Sequence, residues 1–88
     1  MYLFHVTTEK KAKAYRESGA IHSPVRGFDS LSAAMFWAMK TGRKVIYKIE
    51  CNESETYKLP DHHNDFGTAF WTESKILYER ITCVVSAT

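Results

Sequence analysis

Tyr2-Leu3-Phe4-His5-Val6-Thr7-Thr8, followed further along by Arg26-Gly27-Phe28-Asp29-Ser30, is the stretch whose reading decides the fold. Residues 2–7 alternate in character. Tyr2, Phe4 and Val6 fall on one face and Leu3, His5 and Thr7 on the other, the period-two pattern of a strand. With the Tyr2/Phe4/Val6 face toward the core, His5 and Thr7 face a cleft or solvent. An Arg-Gly-aromatic turn that then opens a helix implies a cleft between two half-sheets.

Outward from this stretch, Thr7 or Thr8 caps a first helix that runs to about Ser18. Glu9 suits the positive end of its dipole, and Gly19 suits its C-terminal stop. Ala12 and Tyr15 give this helix only a thin apolar stripe, which places it on the surface. Ala20-Ile21-His22 reads as a short extended segment, and Ser23-Pro24 with Arg26-Gly27 as a turn-rich loop. Asp29 or Ser30 caps a second helix, in which Leu31, Ala34, Met35, Ala38 and Met39 keep helical spacing. Phe36 and Trp37 widen that stripe, so this helix packs centrally on a sheet and ends at Thr41-Gly42.

Alternation returns over residues 44–51, before a polar turn at 52–55 and a short strand at 56–59. A loop at 60–65, an aromatic-rich strand at 66–72, a turn at 73–75 and a last strand at about 80–85 complete the chain. The expected class is α+β: two helices packed on a small, mainly antiparallel split sheet of about five to six strands, ending in an antiparallel meander.

Eighty-eight residues make a single domain, 1–88. An aromatic share of 14% supplies large units of apolar surface to bury. A net charge of +2 argues against a dedicated nucleic-acid protein. Eight of the twelve basic residues nonetheless precede residue 45, which suits an anionic ligand. Cys51 and Cys83 lie in apolar strand patterns and read as two reduced, buried thiols of a cytoplasmic protein. The N-terminal apolar run is too short for a signal peptide, and nothing approaches membrane length.

His62 and His63 sit between Asp61 and Asp65 in the densest polar cluster. Adjacent side chains diverge in extended chain, so no metal site is expected there. The segment reads as a polar turn or as a loop that covers a ligand. Neither a glycine-rich phosphate loop nor the surroundings of a hydrolytic nucleophile is present. Ser30, at a helix start beside Arg26, fits an anion site as well as a cap.

His5-Val6-Thr7, Gly27-Phe28-Asp29-Ser30, Ala34-Met35-Phe36-Trp37-Ala38, the Lys44–Tyr47 strand and the segment Ile76–Ile81 together resemble the ADP-ribosyltransferase-like fold. The resemblance implies an NAD or ADP-ribose-like ligand. His5 and Thr7 would contact its ribose, Phe28 would be a stacking wall and Ser30 a pocket hydroxyl. Val6 stands where that family often has glycine, and residues 67–71 carry no acid at the place of the family's late-strand glutamate. A missing carboxylate removes a main electrostatic contribution to transfer chemistry.

The expected function is therefore nucleotide binding or sequestration, through His5, Thr7, Arg26, Phe28 and Ser30, with His62 and His63 as loop contacts. Two alternatives stand beside it. One is a minimal active ADP-ribosyl- or phosphotransferase, with Glu73 or His62/His63 replacing the acid. The other is a protein-binding regulator or inhibitor, such as a phage or other mobile element encodes, presenting Tyr57, Phe66, Phe70 and Tyr78.

Overall fold

The computed structural model describes residues 1–60 and 63–86. Strand β1 spans Tyr2–Thr7 and leads into helix α1, Glu9–Ser18. The Thr8 hydroxyl accepts from the Lys11 amide at 3.2 Å, and Gly19 ends the helix in the left-handed conformation, its amide donating to the Tyr15 carbonyl. Strands β2 (Ala20–Ile21) and β3 (Val25–Phe28) precede helix α2, Leu31–Thr41. Ser30 is the cap of α2, its hydroxyl accepting from the Ala33 amide at 3.1 Å. Then follow β4 (Val45–Glu50), β5 (Thr56–Lys58), β6 (Ala69–Thr72), β7 (Ile76–Leu77) and β8 (Ile81–Val85).

Six strands form one antiparallel sheet in the order β5-β6-β3-β1-β4-β8, and β2 pairs with β7 in a second. The α+β class with two helices on a mainly antiparallel sheet is what the sequence led us to expect. Its interior corrects the expectation in two places. Val25–Phe28 is not a turn but a central strand, flanked by β1 and β6. Pro24 and Gly27 mimic loop chemistry locally, and pairing on both sides overrides it. Nor is the C-terminal part a meander: β6 pairs with β3, while β8 pairs with β4 at the opposite edge. The aromatic-rich strand is also shorter than expected, because Asn64 and Gly67 bridge across a tight turn before it.

Both faces of β1 are covered, so the assumption of one core face fails. Leu3 packs with Ile21, Val25, Tyr47, Ile49, Cys51 and Ile76 beneath Ala12 and Tyr15 of α1. On the other side, Val6 packs with Phe28, Ala33, Ala34, Ala38, Ile46 and Ala69 beneath α2. Residues of both parities are therefore apolar where a half-buried strand would alternate. Helix α1 itself buries no residue fully, as its thin stripe implies. Cys51 is buried and its thiol pKa is raised by that burial, whereas Cys83 is exposed on the edge strand β8. The expectation of two buried thiols holds for Cys51 alone. Among the described residues no helix is long and apolar enough to cross a membrane.

Candidate functional site

Strand β1 meets its two neighbours very differently. With β4 it is in register over its whole length, from Tyr2↔Glu50 to Thr7↔Val45. With β3 the register is a single pair, Phe4↔Phe28. Gly27 explains how closely the strands cross there. A Cβ on it would lie 3.0 Å from both the Leu3 Cβ and the Phe4 carbonyl oxygen, close enough that these neighbours would have to give by a few tenths of an ångström. Beyond that pair the ladder between the two strands is open, a split within the one six-stranded sheet.

A cavity of about 500 Å³ occupies the split. His5 and Thr7 of β1, Arg26 and Phe28 of β3, and Trp37 of α2 line it, with Lys11, Tyr15, His22, Leu59 and Arg43 around them. The Phe28 and Trp37 rings meet at 6.1 Å between centroids and form one aromatic wall. No aspartate or glutamate is among the described lining residues. The lining instead gathers the cations Lys11, Arg26 and Arg43, giving the cavity a positive potential that attracts anions.

His5 spans this gap in the ladder. Its Nδ1 lies 2.5 Å from the Arg26 carbonyl oxygen, and its Nε2 lies 3.1 Å from the Tyr15 hydroxyl. Because a carbonyl only accepts, Nδ1 carries a proton and donates. Burial lowers the pKa of His5 below its ordinary 6.5; the Arg26 hydrogen bond opposes this, and the charges of Lys11 and Arg43 add to it. The ring is thus neutral, and its bare Nε2 accepts from Tyr15. The Tyr15 proton being committed, Thr7 is the donor in the 3.4 Å contact between the two hydroxyls. A relay follows: Thr7 donates to Tyr15, Tyr15 to His5, and His5 to the backbone of β3. Both polar groups that β1 offers to the split are occupied by Tyr15.

Of the residues singled out from sequence, His5, Thr7, Arg26 and Phe28 come together around the cavity. Ser30 is not among its lining residues. Besides capping α2, its hydroxyl donates to the Phe66 carbonyl at 2.8 Å. Asp29 accepts from the Thr68 amide at 2.8 Å, and Asn64 donates to the Ala33 carbonyl at 3.2 Å. The 64–68 turn thus sits on the start of α2, taking up the position an anion would need. His63 is exposed and does not line the cavity; His62 lies outside the described residues. Among the described residues no cluster of three or more metal-ligating side chains occurs.

Lys11, Tyr15, Trp37 and Arg43 line the cavity without having been read from the sequence as site residues. Lys11 and Tyr15 are four apart on α1 and so share a face, a signal available in the sequence. Arg43 offered none, since its place depends on the pairing of Thr7 with Val45. Compared with protein-family models, with curated proteins and with solved structures, the chain shows no match.

Proposed function

We propose that this domain binds a nucleotide of the NAD or ADP-ribose class in the split between β1 and β3, and acts by binding or sequestering it. The observation that carries this reading is the cavity of about 500 Å³, with an aromatic wall of Phe28 and Trp37, the cations Lys11, Arg26 and Arg43, and no carboxylate among its described lining residues. Such a composition favours a ligand with a flat ring at one end and negative charge at the other. A positively charged lining without an acid favours binding of an anion over stabilisation of an oxocarbenium-like cation, and this ranks binding above the transferase alternative.

Sugar hydroxyls suit His5 and Thr7 once Tyr15 gives way, because they can donate to Nε2 and accept from Thr7 as the Tyr15 hydroxyl does. Tyr15 is only partly buried where it packs on the Leu3 cluster, and its hydroxyl is held by His5 and Thr7. Trp71 stacks on Tyr57 at 5.0 Å, away from the cavity lining. A Trp71→Phe variant therefore leaves Trp37 as the reporter. Titrating NAD and ADP-ribose into it, with calorimetry on the unmodified chain, should give saturable Trp37 quenching with matching heat. Silence in both measurements contradicts the reading.

The protein-binding alternative has a specific observation of its own. Met35, Phe36 and Met39 expose the outer side of α2, Met39 by 82%, and Phe66 stacks on Phe36 at 5.5 Å. Tyr57 is exposed as expected, while Phe70 and Tyr78 are partly buried. Contiguous exposed apolar surface of this kind is typical of interaction sites.

A further inference from the structure

We infer that the outer face of α2 is the contact between two copies of this chain, packed antiparallel about a twofold axis with each Lys40 against the other copy's Asp65. From Leu31 to Met39 the helix carries no charged residue, and Ser32 is its one polar side chain. Ala33, Ala34 and Ala38 are buried against the sheet. Ser32, Met35, Phe36 and Met39 keep i, i+3, i+4, i+7 spacing and so form a second stripe, directed away from the sheet. A helix apolar on both sides is one that is covered on both sides. Phe66 of the 64–68 turn extends the stripe by stacking on Phe36, 5.5 Å between centroids.

Met35, Phe36, Met39 and Phe66 are 45%, 44%, 82% and 55% exposed. At roughly 200 Å² for a large side chain this is about 450 Å² of apolar surface, the scale at which a patch marks an interaction site. None of the four lines the cavity, so the inference goes beyond the nucleotide reading and does not depend on it.

Charge at the two ends of the stripe selects the occupant. Lys40 lies four residues after Phe36 and continues the same edge of α2 toward its C-terminus. Asp65 precedes Phe66 in the turn that Ser30 and Asn64 fasten to the start of α2, through the Phe66 and Ala33 carbonyls. Both charged residues are exposed. One edge of the stripe therefore runs from an acid, past Phe66 and Phe36, to a base. A twofold axis across α2 in the plane of contact reverses the helix but keeps that edge. It brings Lys40 against Asp65 twice, packs Met35 and Met39 at the centre, and opposes the two helix dipoles. Parallel packing would instead set like charges at the same level. The area is below the roughly 800 Å² that each partner gives to a standard interface, so association in the micromolar range is expected.

Sedimentation equilibrium tests this, with reductant present because Cys83 is exposed. The unmodified chain should dimerise without added ligand. Met39→Glu should abolish the dimer, and Lys40→Glu or Asp65→Lys should each weaken it about tenfold, two attractive contacts having become repulsive. All three positions are exposed, so urea unfolding of the variants should match that of the unmodified chain. Mixing the Lys40→Glu chain with the Asp65→Lys chain should restore association, since both contacts are then complementary. A chain that stays monomeric up to millimolar concentration overturns the proposal. So does a dimer indifferent to Met39→Glu, or a mixture that associates no better than its components. Should Met39→Glu fail to fold, the mixture decides alone. ADP-ribose binding by a monomeric chain would leave the nucleotide reading standing while this one falls.

Discussion

The two flanks of β1 are made from one strand and behave as opposites. Toward β4 the ladder runs the full length of the strand, and Leu3, Ile46 and Ile49 at this seam are all but inaccessible. Toward β3 a single register pair holds, and His5 replaces the missing ladder with its ring. The sealed flank is core, and the open one carries the polar groups and the cavity. The comparison shows how a small sheet can hold a cavity without a large core: it leaves one seam unzipped and bridges it with a polar side chain.

Substitutions can break this contrast from either side. On the sealed flank, Ile49→Ala should cost about 2–5 kcal/mol in urea unfolding, because Ile49 is fully buried and its loss leaves a hole. ADP-ribose affinity of the folded fraction should be unchanged. At the crossing itself, Gly27→Ala places a Cβ against the Phe4 backbone, which cannot yield as a side-chain tip can. It should cost about 1–3 kcal/mol, and unlike Ile49→Ala it should also alter ligand affinity, since it forces the two strands apart where the split begins.

How much of this contrast was legible beforehand depended on whether a feature was local. Strand β1, both helices, the caps at Thr8 and Ser30 and the stops at Gly19 and Gly42 follow from periodicity and end chemistry, and they appear where the sequence puts them. Strand β3 was hidden because Pro24 and Gly27 carry the local signature of a turn, and only partners distant in sequence make Val25–Phe28 extended. The cleft was foreseen through His5, but its occupant was not. Tyr15 looked like part of a thin apolar stripe, and nothing local shows its hydroxyl reaching across to Nε2. Ser30 misled for the converse reason: a helix start resembles an anion site until the chain's own 64–68 turn is known to cover it.

Smaller effects sharpen the open flank. His5 has a lowered pKa in the folded state, so at pH above its ordinary 6.5 folded and unfolded chains both hold it neutral and its contribution is complete. As pH falls below 6.5 the unfolded chain takes up a proton that the folded chain resists, and stability declines by at most about 1.4 kcal/mol per pH unit until the folded pKa is passed. His5→Gln should flatten that part of the pH profile of urea unfolding. A profile unchanged by the substitution would place the protonation elsewhere.

Tyr15→Phe is the mildest change. Losing its hydroxyl contacts should cost about 0.5–1.5 kcal/mol. It should also strengthen ADP-ribose binding, because Nε2 of His5 and the Thr7 hydroxyl no longer have to be released from Tyr15. A variant that is less stable and binds more weakly would make Tyr15 a ligand contact in its own right.

The most direct test of the central claim is a nitrogen-15 NMR titration that follows the His5 ring and the Trp37 and Trp71 indoles as ADP-ribose is added. Without ligand, His5 should be the neutral Nδ1-protonated tautomer, fixed by the Arg26 carbonyl. With ligand, the His5 and Trp37 signals should shift together to saturation while the Trp71 signal stays in place. An Nε2-protonated ring at the outset, or a titration in which His5 and Trp37 do not move, would contradict the account.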